Sequence, residues 1–268
     1  MSFACRSALL LCGWLCIAAA AQPREFRVCA DPDNAPLSRE DGSGFENRIA
    51  RLVAAELGAQ LHYAWLPLRR GFVRKTMGSG QCDVFIGVPK ALSGVLTTRP
   101  YYRSSYVFVN GPRARGIDAF DDARLTGLRI GVQLIGQDLA ATPAGYALAA
   151  AGHVDNVRGF TVYGDGPAAR REIDAVHDGA LDTALVWGPQ AGYLAAREAP
   201  PLELRIVRPP ASAGPAPFEF DIAMGVRRDD DALRNELDAI LERRRDDIDA
   251  ILSEYSVPRT DTRRPVSP

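Results

Sequence analysis

The sequence predicts a two-lobed α/β protein with a cleft between its lobes, exported through an N-terminal leader. Three observations carry this: an apolar leader, two successive runs of alternating strand and helix patterns, and a C-terminal segment that returns to the first run.

The leader comes first. Arg6 precedes an apolar run from Ala8 to Ala20, and the chain turns polar at Gln22-Pro23-Arg24-Glu25. Ala19 and Ala21 suit signal-peptidase cleavage after Ala21. The run is short for a membrane anchor and no stop-transfer charge cluster follows it. Cys12 and Cys16 lack the small residue expected ahead of a lipidated cysteine. Cleavage would remove Cys5, Cys12 and Cys16 and leave Cys29 and Cys82. In an oxidising compartment these form a natural disulfide, the alternative being two separate buried thiols.

The first run opens with a strand at Phe26–Ala30 and a loop rich in Pro and Asn over 31–36. A helix follows, with Phe45, Ile49, Leu52, Val53 and Leu57 on one face and Gly58 at its C-cap. A strand over 61–66, a helix over 69–78 closed by Gly78-Ser79-Gly80, and a strand over 83–88 complete a β-α-β-α-β order. That order implies parallel strands with right-handed crossovers. Tyr106–Val109 reads as a short buried strand stopped by Asn110-Gly111-Pro112.

The second run has strands at 128–132, 161–163, 184–187 and 202–207, with helices at 143–151, 168–177 and 190–197. Residues 209–217, rich in Pro, Ala and Gly, read as a linker or exposed loop. A strand at 220–226 and a long helical region follow, the latter with Leu233, Leu237, Ile240, Leu241, Ile248, Ile251, Leu252 and Tyr255 on one face. No internal repeat is visible, although the two runs are similar in size. The chain thus divides into a signal peptide (1–21), lobe 1 (22–110 with 217–257), lobe 2 (111–216) and a disordered tail (258–268), with crossings near 109–112 and 216–220.

Composition narrows the function. The 268 residues are 47% hydrophobic and 24% charged, with a formal net charge of −1. That balance gives no electrostatic case for nucleic acid or for an anionic membrane. His62, His153 and His177 occur singly, with no metal-ligand spacing, nucleophile elbow or phosphate loop. No metal or cofactor is therefore expected. Asp121-Asp122 and Asp229-Asp230-Asp231 sit at helix starts, where carboxylates cap amides and suit the helix dipole.

Residues at strand ends are the better candidates, because open α/β sheets bind ligands beyond the carboxyl ends of their strands. They are Asp31 and Asn34 after the first strand, Lys90 after strand 83–88, and Tyr101 and Tyr102 before the first crossing. Gln133, Trp187 and Gln190 follow strands of the second run, and Arg69 with Arg70 could face an anion in the cleft or a partner. Each also has a plain structural role, as turn former, core aromatic or surface pair.

Cys82-Asp83-Val84-Phe85-Ile86-Gly87-Val88-Pro89, followed by Thr98-Arg99-Pro100-Tyr101-Tyr102, resembles the first lobe of family 3 periplasmic solute-binding proteins. Gly127-Leu128-Arg129-Ile130-Gly131-Val132-Gln133 resembles the opening of their second lobe. The resemblance spans roughly 25–256 and implies the type II periplasmic-binding-protein fold with an inter-lobe cleft. Three segments look like the MxaJ/XoxJ branch: Pro67–Arg74, Pro217–Val226 and, most specifically, Trp187-Gly188-Pro189-Gln190-Ala191-Gly192-Tyr193. That branch is associated with PQQ-dependent methanol and other alcohol dehydrogenases. The resemblance therefore implies a periplasmic accessory whose partners are such a dehydrogenase and its cytochrome c.

One departure matters. Amino-acid-binding members carry an Arg that clamps the ligand carboxylate through paired donors. Here that region reads Lys90-Ala91-Leu92-Ser93-Gly94-Val95, with no Arg. Two other readings stay open. One is the binding component of an ABC importer for a small solute; the other is a dehydratase-like enzyme using Asp31, Lys90 and Asp138.

Overall fold

The computed structural model describes residues 23–135, 140–162, 166–209 and 218–260. The expected leader, Tyr163, Asp138 and most of the expected linker lie outside the described residues. The chain folds as the predicted two-lobed α/β protein.

Lobe 1 begins with β1 (Glu25–Ala30), whose alternation buries Phe26 and Val28. Helix α1 (Phe45–Glu56) starts where the Asn47 side chain accepts the backbone N–H groups of Gly44 and Arg39, at 3.1 and 2.9 Å. Its Phe45, Ile49, Ala50 and Val53 face is buried, and Gly58 takes the left-handed φ of +59° just past its end. Strands β2 (Gln60–Trp65) and β3 (Val84–Pro89) flank β1, both parallel to it.

The helix expected over 69–78 is shorter. Only α2 (Phe72–Lys75) and a 3₁₀ turn at Met77–Ser79 form. Gly71 takes φ +84° at the start, and the Thr76 hydroxyl donates back to the Phe72 carbonyl at 2.7 Å.

Strand β4 (Tyr102–Asn110) is longer than the expected 106–109 and joins the lobes. Its Tyr102–Ser105 half pairs with β9 (Glu219–Val226) in lobe 1. Its other half pairs with β7 (Thr183–Trp187) and β8 (Glu203–Ile206) in lobe 2. The chain therefore changes lobes between Ser105 and Tyr106, ahead of the expected 109–112. In lobe 2, β5 (Ile130–Ile135) lies between β7 and β6 (Val157–Thr161), parallel to both. The last of these starts before the expected 161–163, because Arg158 and Gly159 interrupt the apolar alternation that marks a strand. The sheet path is β6-β5-β7-β4-β9-β3-β1-β2, with β9 antiparallel to both its neighbours.

Helices α3 (Pro143–Ala150), α4 (Ala168–His177) and α5 (Gly188–Ala195) cover lobe 2. The long C-terminal helical region divides into α6 (Asp231–Arg243) and α7 (Arg245–Glu254). Arg244 at the break donates to Glu56 of α1 at 3.0 Å and to Asp247 at 2.8 Å. Pro258 to Thr260, placed in the disordered tail by the sequence, are tied to β4 instead: Ser104 Oγ donates to the Pro258 carbonyl at 2.5 Å and Thr260 N–H to Arg103 at 3.1 Å.

Each lobe packs both faces of its sheet. In lobe 1, α1, α6 and α7 cover one face, and Phe72, Met77, Phe85 and Val88 form a smaller cluster on the other. Cys29 and Cys82 belong to that cluster and are disulfide-bonded, with Cα atoms 5.4 Å apart. In lobe 2, Phe108, Phe120, Ile130 and Leu148 fill one face and Val107, Ile173, Leu181 and Val186 the other.

Candidate functional site

A pocket of about 480 Å³ lies between the lobes, at the carboxyl ends of β1, β2, β6 and β7 and beside β5. Lobe 1 contributes Asp31 to Asn34 and Pro67 to Arg69; lobe 2 contributes Gln133, Val162, Gly166 to Ala168, Trp187 and Gln190, with Tyr106 at the crossing. This is where a sheet of this order leaves its strand ends open.

Asp31 organises the lobe 1 wall. Its Oδ1 accepts the Asp33 N–H at 2.8 Å and its Oδ2 the Leu68 N–H at 2.6 Å, which ties the loop after β1 to the loop after β2. Asn34 lies in a small antiparallel turn with Ser38 and accepts a hydrogen bond from Gln190 Nε2 at 3.1 Å, across the lobes. Tyr106 and Trp187 pair across β4 and β7 with ring centres 5.5 Å apart, and Trp187 also meets Phe220 at 5.6 Å. Burial first, and Glu172 second, push the Tyr106 phenol up to about 12. It therefore stays a neutral donor.

Of the residues singled out in the sequence, Asp31, Asn34, Arg69, Gln133, Trp187 and Gln190 meet at this pocket. Four do not. Arg70 is exposed outside its lining. Lys90 turns back into its own hairpin, where Nζ donates to the Thr98 and Thr97 carbonyls at 2.7 and 3.3 Å. Tyr101 packs against the lobe 1 core and donates to the Ile86 carbonyl at 3.1 Å, and Tyr102 is buried in that core. Both stand where the chain pairs with β9 in lobe 1, and their rings serve packing there. Sequence reasoning missed Tyr106, which reads as core, and Val162, Pro167 and Ala168.

The Trp187–Tyr193 segment has a physical explanation. Gly188 and Gly192 lie one turn apart on α5, and a Cβ at either would collide with lobe 1 backbone: the Ser105 and Ser256 carbonyl oxygens respectively. Tyr193 stacks on Tyr255 with ring centres 5.3 Å apart. The motif is the seam between the lobes.

Residues 26–257 match the family model of bacterial extracellular solute-binding proteins, family 3. The chain belongs to that family. It is similar to Protein MoxJ of Methylorubrum extorquens, 34% identical over 87% of this chain and 81% of that protein. A second Protein MoxJ, from Paracoccus denitrificans, is 29% identical over 90% and 91%. The crystal structure of the periplasmic binding protein XoxJ from Methylobacterium extorquens AM1 superposes with a TM-score of 0.73 at 33% identity, over 88% of this chain and all of that one. Among the described residues no group of His, Cys, Asp and Glu could hold a metal, and no helix is long and apolar enough to cross a membrane.

Proposed function

We propose that this chain is a non-enzymatic periplasmic accessory of a PQQ-dependent methanol or other alcohol dehydrogenase system, with the dehydrogenase and its cytochrome c as partners. Likeness to MoxJ and XoxJ over most of all three chains supports the branch. The observation that carries the reading away from nutrient capture is Lys90. It stands where amino-acid-binding members begin the segment holding their arginine clamp, and its ammonium is spent on the Thr97 and Thr98 carbonyls. No paired donor of a guanidinium kind is offered to a ligand carboxylate from that strand end. The dehydratase-like reading loses support from the same bonds, since Asp31 and Lys90 are each engaged in holding a loop.

Affinity capture on the tagged mature chain from a periplasmic extract is expected to enrich a quinoprotein dehydrogenase. Recovery of ABC permease components alone would overturn the proposal. The importer reading is favoured by one feature, the polar pocket between the lobes. A thermal-shift screen of amino and organic acids tests it, because a ligand selective for the folded state raises its stability by mass action.

A further inference from the structure

Lobe 1 holds a second and larger cavity, of about 890 Å³, under the disulfide-side face of its sheet. It adjoins the inter-lobe pocket at Asp31, Asn34, Leu68 and Arg69 but runs the other way, toward α2 and the turn after β9. Its walls are apolar, with Leu37, Phe72, Val73, Met77, Phe85 and Leu92 the principal side chains.

Two polar features break that surface. The first is Glu46, in the first turn of α1. Its carboxyl packs against Gly87, where a Cβ would collide with Oε1, and Oε1 is sealed from solvent with no hydrogen-bond partner. Burial pushes this carboxyl up to about 8, so at neutral pH it is a neutral donor. Oε1 is the sealed oxygen, so a proton offered to a ligand carbonyl is carried on the other carboxyl oxygen, at the cavity wall. The second feature is the rim. Arg69, Arg74 and Arg228 are exposed at the lining and Arg227 is half-buried there, against the acids Asp31 and Asp229. Arg227 is engaged with Asp83 and Asp230, so the cationic character of the mouth rests on the exposed Arg74 and Arg228.

We infer that this cavity is a binding site for an apolar organic anion, with a carbonyl accepting from Glu46 at its inner end and a carboxylate or similar group at the arginine rim. Apolar walls with few, well-separated polar groups are what a small-molecule site needs. The inference goes beyond the accessory role and can be tested on the purified chain without any partner.

Three probes separate the parts of the inference. 4-Benzoylbenzoate has the ketone, the aromatic body and the anion; 4-benzylbenzoate lacks only the ketone; 4-(aminomethyl)benzophenone exchanges the anion for a cation. Calorimetry at pH 7 is expected to rank them in that order, with the ketone worth about three- to tenfold. In Glu46→Leu the preference for the ketone should vanish. In wild type it should fade between pH 7 and 9 as Glu46 ionises. The neighbouring Tyr63, Tyr101 and Tyr102 phenols, each raised chiefly by burial, stay protonated there. The surface variant Arg74→Glu/Arg228→Glu should invert the order of anion and cation. Illumination should cross-link 4-benzoylbenzoate to Phe72, Met77 or Leu92. Absence of binding, equal binding of the cation, a ketone preference that survives Glu46→Leu, or labelling at Tyr106 and Trp187 would each overturn the inference.

Discussion

Arg27 in lobe 1 and Arg129 in lobe 2 stand at matching places. Each precedes the strand residue that pairs with the first residue of a neighbouring parallel strand, Val28 with Val84 and Ile130 with Thr183. Each clamps the acid just before that strand through two bonds, Arg27 to Asp83 at 2.7 and 2.8 Å and Arg129 to Asp182 at 3.0 and 3.1 Å. Each acid also binds a second guanidinium, Arg227 or Arg113. Two residues on from the arginines stand Cys29 and Gly131, and one before the acids stand Cys82 and Leu181. In lobe 1 that pair is a disulfide. In lobe 2, Leu181 lies over the glycine so closely that a Cβ there would meet its Cδ1 at 2.7 Å. The lobes thus share a register that residue similarity hides. They differ where lobe 1 surrenders packing to a cavity and a covalent bond holds the two strands beside it.

The largest expected effect breaks that difference. Cys29→Ser/Cys82→Ser opens a 53-residue separation, for which chain entropy gives about 4 kcal/mol. Hydrogen exchange should show lobe 1 amides losing protection while lobe 2 keeps its own; uniform loss would mean that the lobes unfold as one. The converse variant, Gly131→Cys/Leu181→Cys, should cross-link on oxidation. Its gain should be smaller, about 2 kcal/mol, because the Ala184 Cβ lies 3.1 Å from the new Cβ.

Buried carboxyls extend the comparison. Glu46 faces the lobe 1 cavity, whereas Glu172 on α4 is fully enclosed in lobe 2, both its oxygens without a hydrogen-bond partner. Burial raises both, Glu46 from the ordinary 4.5 to about 8. The sign follows from linkage. The unfolded chain ionises first, so stability falls as pH rises from 4.5 to about 8 and is level above. At pH 7 Glu46 alone accounts for about 3 kcal/mol of that loss. Glu46→Gln should therefore flatten part of the pH dependence of urea unfolding and raise stability at pH 7. An unchanged slope would show that Glu46 is solvated or paired in solution.

The next step down is the clamps. Asp83→Asn and Asp182→Asn should each cost about 2 kcal/mol, since charged hydrogen bonds contribute roughly 1.5–3 kcal/mol. Asp83 is pushed up by burial, but Arg27 and Arg227 outweigh this and hold it below the usual carboxylate range; Arg129 leads in lowering Asp182. The contribution of each clamp is present above the unfolded value near 4 and is lost as pH falls through the folded one. Acid titration of the two variants, read lobe by lobe, should show matched losses if the register is shared.

Much of this was legible in the sequence. Alternation around Phe26 and Val28, the capping glycine at 58 and the cysteine pair led to the right elements, and strand ends led to five residues of the inter-lobe pocket, with Arg69 singled out for its charge. What failed had physical causes. Lys90, Tyr101 and Tyr102 also sit at strand ends, but only the pairing with β9 decides which way they turn. Glu46 reads as a solvated acid favourable to a helix start, and nothing local reveals that Gly87 makes room for it. The repeat between lobes was hidden because its fixed points are single residues, Arg and Asp, spaced by loops of unequal character.

The smallest expected effect concerns the seam. Gln190→Ala removes the bond to Asn34, worth about 1 kcal/mol, without touching the glycines that let α5 lie on lobe 1. If that bond holds the lobes together, small-angle scattering should report a larger radius of gyration, and Asn34→Ala should add nothing further in the double variant. If the backbone contacts at Gly188 and Gly192 and the Tyr193–Tyr255 stack hold them, the radius should stay fixed and only stability should fall. The second outcome describes a cleft of set width. That would separate this protein from binders that close on a solute, because a seam made of backbone contacts has no second arrangement to move to.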